Sequence, residues 1–197
     1  MTVQMRGTKS GQTQKNERRG RPHSWTHPNL VACAHDALPG RGVFAKKAIP
    51  KGTLLTIFGG HVLTRQEELE LSPRLRDLGF QISPHFVLGP RHEDEIGISD
   101  FYNHSCNPNA GFNGHIFLQA IRRIAKGEQV CFDYAMVLGR TPGLRRQYVL
   151  DCTCGASNCR KRITTSDWQR PELQKRYKGY FQRYLEDKIE CLRNGKR

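Results

Sequence analysis

The sequence predicts a mainly β domain of short strands and many turns, closed by a helical C-terminal tail. Two observations predict it. Glycine is abundant, 19 of 197 residues, and the apolar runs, such as Leu54-Leu55-Thr56-Ile57-Phe58, are short and bounded by turn residues. Apolar residues at helical spacing are sparse until the stretch after Pro171.

Taken in order, residues 1–28 carry Arg6, Lys9, Lys15, Arg18, Arg19 and Arg21 against the single acid Glu17, with few aliphatic residues. Such a segment buries too little apolar surface to fold and reads as a disordered basic arm. Order is expected from Leu30-Val31-Ala32. The turn Gly40-Arg41-Gly42 follows, where glycine lets a ligand approach the backbone closely. Ala45-Lys46-Lys47-Ala48-Ile49-Pro50-Lys51-Gly52 recurs in pattern as Ala120-Ile121-Arg122-Arg123-Ile124-Ala125-Lys126-Gly127, each leading into an apolar run. Both read as hairpins built on a Lys-Gly turn. Thr64-Arg65-Gln66-Glu67 is a capping box, so a short helix is expected to start there and stop before Pro73. Residues 74–99 read as irregular, with Glu93-Asp94-Glu95 as a solvated acidic loop. Gly114 to Leu118 reads as a strand. Leu173, Tyr177, Tyr180, Phe181, Tyr184, Leu185, Ile189 and Leu192 recur at helical spacing, with Pro171 suited to the first turn and Gly179 placed to divide the run.

The formal net charge of +14 points to an anionic partner or to a substrate embedded in one, such as a nucleoprotein. There are 7 cysteines, an odd number; no apolar leader follows Met1 and no run is long enough to span a bilayer. A reducing, intracellular compartment with a metal site fits better than a disulfide framework, and no membrane contact is expected. Cys152, Cys154 and Cys159 sit in one turn-rich loop and offer three thiols to a thiophilic cation such as zinc. A closed structural zinc site takes four ligands. The open choices for the fourth are Cys106, Cys33, Cys131, Cys191 or a histidine. Cys106, in the polar loop Asn103-His104-Ser105-Cys106-Asn107-Pro108-Asn109, is the best placed. The other three cysteines read as small buried hydrophobes.

Gly40-Arg41-Gly42-Val43-Phe44-Ala45, the 103–109 loop, Glu128 to Tyr134 and Cys152-x-Cys154-x₄-Cys159 occur in that order. Together they resemble the SET-domain protein lysine methyltransferases with a zinc-binding post-SET motif, over about residues 30–162. The compact size and C-terminal aromatic helix are similar to the small single-domain members. The resemblance implies a fold of short curved β-sheets with a knot-like threaded C-terminal segment, a zinc-bound post-SET loop and a C-terminal helix. It divides the chain into the arm 1–28, a SET domain 29–148, a post-SET segment 149–165 and a helical extension 166–197. It implies S-adenosylmethionine as cofactor, held by Gly40, Arg41, Gly42, Phe44, Asn103, His104 and Tyr134. Zinc would be held by Cys106, Cys152, Cys154 and Cys159. Tyr134, Phe132 and Tyr102 would act at the lysine, with Phe132 leaving room for di- or trimethylation.

The implied substrate is a lysine of a basic protein, a histone, histone-like or other nucleoprotein component, with nucleic-acid contact through the basic arms. The location is cytoplasmic if the host is bacterial and nuclear if it is eukaryotic. The alternative is a catalytically weak, zinc-stabilised SET fold that binds nucleic acid or nucleoprotein. The sequence departs from the family in having no tyrosine from Gly60 to Asp100, where many members place a channel residue. Phe80, His85 and Phe86 are the nearest substitutes there.

Overall fold

A computed structural model describes residues 23–34, 40–143 and 148–195. Most of the basic arm expected over 1–28 therefore lies outside the described residues. The strands are β1 (Trp25–Thr26), β2 (Leu30–Ala34), β3 (Arg41–Ala45), β4 (Leu54–Ile57), β5 (His61–Thr64), β6 (Phe80–Gln81) and β7 (Phe86–Gly89). The later ones are β8 (Asn103–His104), β9 (Ala110–Asn113), β10 (Phe117–Ala120), β11 (Gln129–Phe132), β12 (Val149–Asp151) and β13 (Arg162–Thr164). The helices are α1 (Arg65–Glu70), α2 (Pro73–Arg76), α3 (Pro171–Arg176) and α4 (Arg183–Arg193). Since β1 already pairs with β4, order begins ahead of the expected boundary at residue 29.

Two four-stranded sheets form the body, in the orders β1-β4-β10-β9 and β2-β3-β11-β8. The repeated Lys-Gly segments explain how they join. Gly52 has φ of 84° and Gly127 of 80°, a region costly for any residue with a Cβ. Each turn carries the chain from one sheet to the other, β3 to β4 and β10 to β11, so neither segment is the hairpin expected. Instead the two copies face each other: Ile49 and Ile124 exchange backbone hydrogen bonds at 2.9 Å, and both side chains are buried. The recurrence marks a paired crossover at the heart of the domain. Strand β11 is an interior strand, antiparallel to β3 and parallel to β8, with Cys131 opposite Asn103 and Phe132 opposite His104. Its apolar Val-Cys-Phe run is buried throughout, as a strand covered on both faces requires.

The capping box forms as expected: Thr64 Oγ1 accepts from the Glu67 amide at 3.3 Å and Glu67 accepts from the Thr64 amide at 2.8 Å. Residues 74–99 are more ordered than expected. They supply α2 and most of a third sheet, β5-β7-β6, whose strands are too short for alternation to show in the sequence. Glu95 is not solvated; it is buried and bonded to His61 and two backbone amides. Residues 114–116 form the β9–β10 turn, with strand only from Phe117, because Gly114 takes φ of 76°. Cys131 is buried, but Cys33 and Cys191 are exposed, Cys33 near the end of β2 and Cys191 on the outer face of α4. The C-terminal aromatic face packs on the main core: Leu173, Tyr177, Phe181, Tyr184, Leu185 and Ile189 join the cluster containing Leu55, Phe112, Leu118 and Val130. Leu192 is left exposed.

Candidate active site and thiol cluster

The 103–109 loop lies across the end of β11, and its polar residues are engaged one by one. Asn103 Nδ2 donates to the Arg41 carbonyl at 3.0 Å, tying the loop to β3. His104 Nδ1 accepts from the Tyr134 amide at 3.1 Å, and the two rings meet edge-on at 5.2 Å. Asn109, fully buried, donates to Glu128 and to the Gln129 carbonyl and accepts from the Cys131 amide at 2.9 Å. It replaces ladder bonds that the irregular loop does not make. The site is therefore built where two distant segments pair in parallel, which periodicity cannot show.

Beside this junction lies a cavity of about 410 Å³, lined among others by Phe58, Phe80, Tyr102, Phe132, Tyr134 and Tyr148. Rings lead from the core to its wall: Phe112 to Phe132 at 5.2 Å and Phe132 to Tyr134 at 5.4 Å. The Tyr134 hydroxyl donates to the Tyr102 carbonyl at 3.2 Å. Burial pushes its pKa up, so it stays protonated at neutral pH. Tyr102 contributes its ring and carbonyl only; its own hydroxyl is turned into the core, 2.7 Å from Thr56 Oγ1. Of the substitutes for the missing channel tyrosine, Phe80 lines the cavity, whereas His85 and Phe86 are exposed and do not. Tyr148 is a further tyrosine among the lining residues. Glu68, Asp77 and Asp100 line the cavity together with Arg65 and Arg76, and Arg65 is paired with Glu68.

Arg41 and Gly42 begin strand β3 instead of forming the expected turn, and this strand end is close-packed. A Cβ on Gly42 would stand 2.4 Å from the Gln129 side chain, 3.1 Å from the Phe44 ring and 3.2 Å from Asn103 Nδ2. Gly40 has φ of 121°, and the Arg41 guanidinium lies 4.7 Å over the Phe101 ring. Gly42, Phe44, Asn103 and Arg41 thus meet where β3 and the 103–109 loop pack together. Backbone, an amide and a cation are brought together there, groups suited to an amino-acid-bearing nucleoside.

The thiols gather as expected. Cys106 and Cys152 sulfurs are 3.9 Å apart, Cys152 and Cys159 3.6 Å, and Cys154 Sγ accepts from the Cys106 amide at 3.4 Å. Ligands about 2.3 Å from a zinc ion in a tetrahedron stand about 3.8 Å from one another. The spacing therefore fits a zinc site. Burial pushes the Cys106 thiol up to about 11, with nearby Cys154 adding to it. Against burial, the amides of Cys106 and Ala156 bring Cys154 down to about 7. Crowded thiols of this kind ionise together only around a cation. Cys159 Sγ is 3.6 Å from Cys152 Sγ but falls outside the set of ligand atoms that lie within 4.8 Å of one another, which is Cys106, Cys152, Cys154 and His104. The chemistry of His104 differs. Burial lowers its pKa to about 4, so the ring is neutral, and Nδ1 is committed as an acceptor. Nε2 then keeps its hydrogen and donates to Cys106 Sγ at 3.2 Å, which excludes that nitrogen from ligating.

One group was invisible in the sequence. Asp133, wholly buried, accepts from both Arg160 terminal nitrogens at 2.6 Å, from the Tyr177 hydroxyl at 3.0 Å and from the Ala135 amide at 2.9 Å. Arg160 also binds Asp167 at 3.0 Å. The Cys106 carbonyl accepts from Asn158, Tyr177 and Arg176. Strand end, cysteine loop and C-terminal helices are locked together here. The available signal was a lone acid between Phe132 and Tyr134, and an arginine directly after the last cysteine of the triad.

Residues 40–135 match the SET domain family model. The chain carries a SET domain. The SET domain is similar to that of "Histone-lysine N-methyltransferase trithorax" of Drosophila virilis, 26% identical over 148 residues, covering 69% of this chain and 4% of that protein. It is also similar to "Histone-lysine N-methyltransferase 2B" of Homo sapiens, 27% identical over 148 residues, covering 69% and 5%. The chain thus spans a small part of the length of these relatives. A solved structure titled "crystal structure of KRYPTONITE in complex with mCHG DNA and SAH" aligns at 24% identity and a TM-score of 0.46, over 68% of this chain and 28% of that one. Among the described residues no helix is long and apolar enough to cross a membrane.

Proposed function

We propose that this SET domain transfers a methyl group from S-adenosylmethionine to the side-chain amine of a lysine in a protein. The observation that carries the reading is the aromatic cavity with the Tyr134 hydroxyl in its wall, together with the Gly42–Asn103 contact. Gly40, Arg41, Gly42, Phe44, Asn103 and the His104 backbone would hold the cofactor, which supplies an electrophilic methyl on a sulfonium. The names of the relatives support the same chemistry.

The lysine must arrive as a free amine, against an ordinary pKa of about 10.4. An aromatic channel disfavours the ammonium form by desolvation. The Tyr134 hydroxyl donates its hydrogen bond to the Tyr102 carbonyl, so its oxygen remains an acceptor for a lysine N–H. It orients the nitrogen lone pair rather than removing a proton, and alignment supplies much of the rate. Phe132 offers no hydroxyl to hold a water beside the amine, which leaves space for a methylated amine to turn and react again.

Cys106, Cys152, Cys154 and Cys159 would hold one zinc ion, with His104 donating to the Cys106 thiolate. Zinc supplies no chemistry to the transfer; it keeps the cysteine loop against the cavity. The +14 charge and the histone methyltransferase relatives favour a histone or another nucleoprotein component as substrate, and a nuclear location in a eukaryotic host.

The test is transfer of labelled methyl to a panel of basic proteins. Transfer to lysine that falls about 100-fold in Tyr134→Phe is expected, the scale of losing one oriented hydroxyl in a water-poor site. No transfer by the wild type, with tight nucleic-acid binding, would replace the enzyme by a binding module. Full activity in Tyr134→Phe would remove Tyr134 from the mechanism.

A further inference from the structure

A second group of ligand atoms stands apart from the thiols. His23 Nε2, His61 Nε2 and a Glu95 carboxylate oxygen lie within 4.8 Å of one another. They come from three places: the residue that leads into β1, the first residue of β5 and the 3-10 turn Glu93–Glu95. We infer that His23, His61 and Glu95 form a second site for a divalent transition metal of the zinc class.

The geometry carries this. Nitrogen and oxygen ligands about 2.0–2.1 Å from zinc stand about 3.3 Å apart in a tetrahedron. His61 Nε2 is 3.0 Å and His23 Nε2 is 3.5 Å from the same Glu95 oxygen, on either side of that value. The rings meet edge-on, centroids 5.2 Å apart, so both nitrogens converge on one point instead of stacking past each other. The carboxylate is set in advance: its other oxygen accepts from the Arg91 and His92 amides at 2.8 and 3.1 Å, leaving the first oxygen aimed at the histidines. Such outer bonds fix a ligand's direction before the metal arrives. His23 is held independently, because Ser24 Oγ accepts from the Gly59 amide at 3.0 Å and donates to its carbonyl at 3.4 Å. A Cβ on Gly59 would strike the His23 carbonyl at 2.4 Å, so the close approach needs glycine.

The site is also accessible. Glu95 is 8% exposed, but His23 is 44% and His61 36% exposed, so the fourth position faces solvent. Two imidazoles and one carboxylate with an open fourth position is a donor set that binds zinc. Bound metal would fasten the segment leading into β1, an edge strand of two residues, to the third sheet.

The experiment measures metal per chain by mass spectrometry on tag-free protein dialysed against zinc. Two equivalents are expected for the wild type. One is expected for His61→Ala and for Glu95→Gln. In cobalt-substituted protein, the equivalent lost in His61→Ala should lack sulfur-to-metal charge-transfer absorption. Equal metal content in the wild type and in His61→Ala would overturn the site, whatever the thiols bind. Hydrogen exchange at residues 24–27 should slow about tenfold on adding the second zinc equivalent to wild type and not to His61→Ala. An unchanged rate would overturn the fastening role.

Discussion

Replacing Arg160 by methionine tests whether the cysteine loop and the aromatic strand end are one structural unit. Asp133 is 0% exposed and Arg160 8%, so water cannot solvate the charge that is left behind. Each Asp133 oxygen loses one of two donors, Oδ1 keeping the Ala135 amide and Oδ2 the Tyr177 hydroxyl. Asp167 loses its cation as well and keeps only the Thr164 hydroxyl as a side-chain donor. Breaking one member of a buried pair costs about 3–5 kcal/mol, mostly the penalty of the stranded charge. For a chain of this size that is a fall in Tm of roughly 6–20 °C. Urea unfolding of zinc-saturated protein measures it, with the midpoint falling and the slope unchanged. The double variant Asp133→Leu with Arg160→Met should recover part of the loss, because it strands no charge between the two. A cost under about 1 kcal/mol in Arg160→Met, the level of an exposed pair, would refute the buried network.

Three further outcomes are expected. Phe132→Tyr adds a hydroxyl to the cavity wall and should shift the product towards monomethyl-lysine; mass spectrometry of wild-type product stopping at one methyl would contradict the role given to Phe132. Cys106→Ser should lower zinc content as fully as Cys154→Ser, read by metal analysis; full retention in Cys106→Ser would separate the loop from the thiol site. Gly42→Ala forces its methyl against the Gln129 side chain, 2.4 Å away, and should weaken S-adenosylmethionine binding at least tenfold by calorimetry, with zinc content unchanged. Binding equal to wild type would move the cofactor away from Gly42.

Local chemistry was legible and long-range pairing was not. The capping box at Thr64 and the two-part C-terminal helix followed from rules that act within a few residues. The Lys-Gly recurrence was visible, but its meaning was not, because a turn between two strands looks the same whether they pair with each other or with strands elsewhere. The strands of the third sheet run two to four residues, too few for a period to emerge. The candidate site was legible as residue types, since Asn, His and Cys crowded into one loop have no core role to play. Asn109 stands in that same loop, yet only the fold shows that it repairs the backbone of β11. Tyr148 lay outside the window in which a channel residue was sought, and chain order carries no information on which loop returns to a cavity. Arg160 was one of 32 basic residues, and nothing local distinguishes a buried guanidinium from a solvated one.

His104 links the thiol cluster to the cavity through proton placement. Its ring has two nitrogens and each has one hydrogen-bond partner, the Tyr134 amide at 3.1 Å from Nδ1 and the Cys106 sulfur at 3.2 Å from Nε2, with Asp133 Oδ1 3.6 Å from Nδ1. The amide can only donate, so Nδ1 must be bare and Nε2 must carry the hydrogen. A sulfur accepts that hydrogen best as a thiolate, the form it takes when it binds zinc. Zinc at the cysteines would thus strengthen the bond that holds the imidazole, and the imidazole holds the amide from which the Tyr134 ring projects. Without a metal Cys106 would be a thiol, whose pKa burial raises to about 11, and that grip would be weaker. A structural ion can govern alignment at the Tyr134 hydroxyl in this way without approaching the cavity, because the hydrogen bond that positions the ring depends on the charge of its sulfur acceptor.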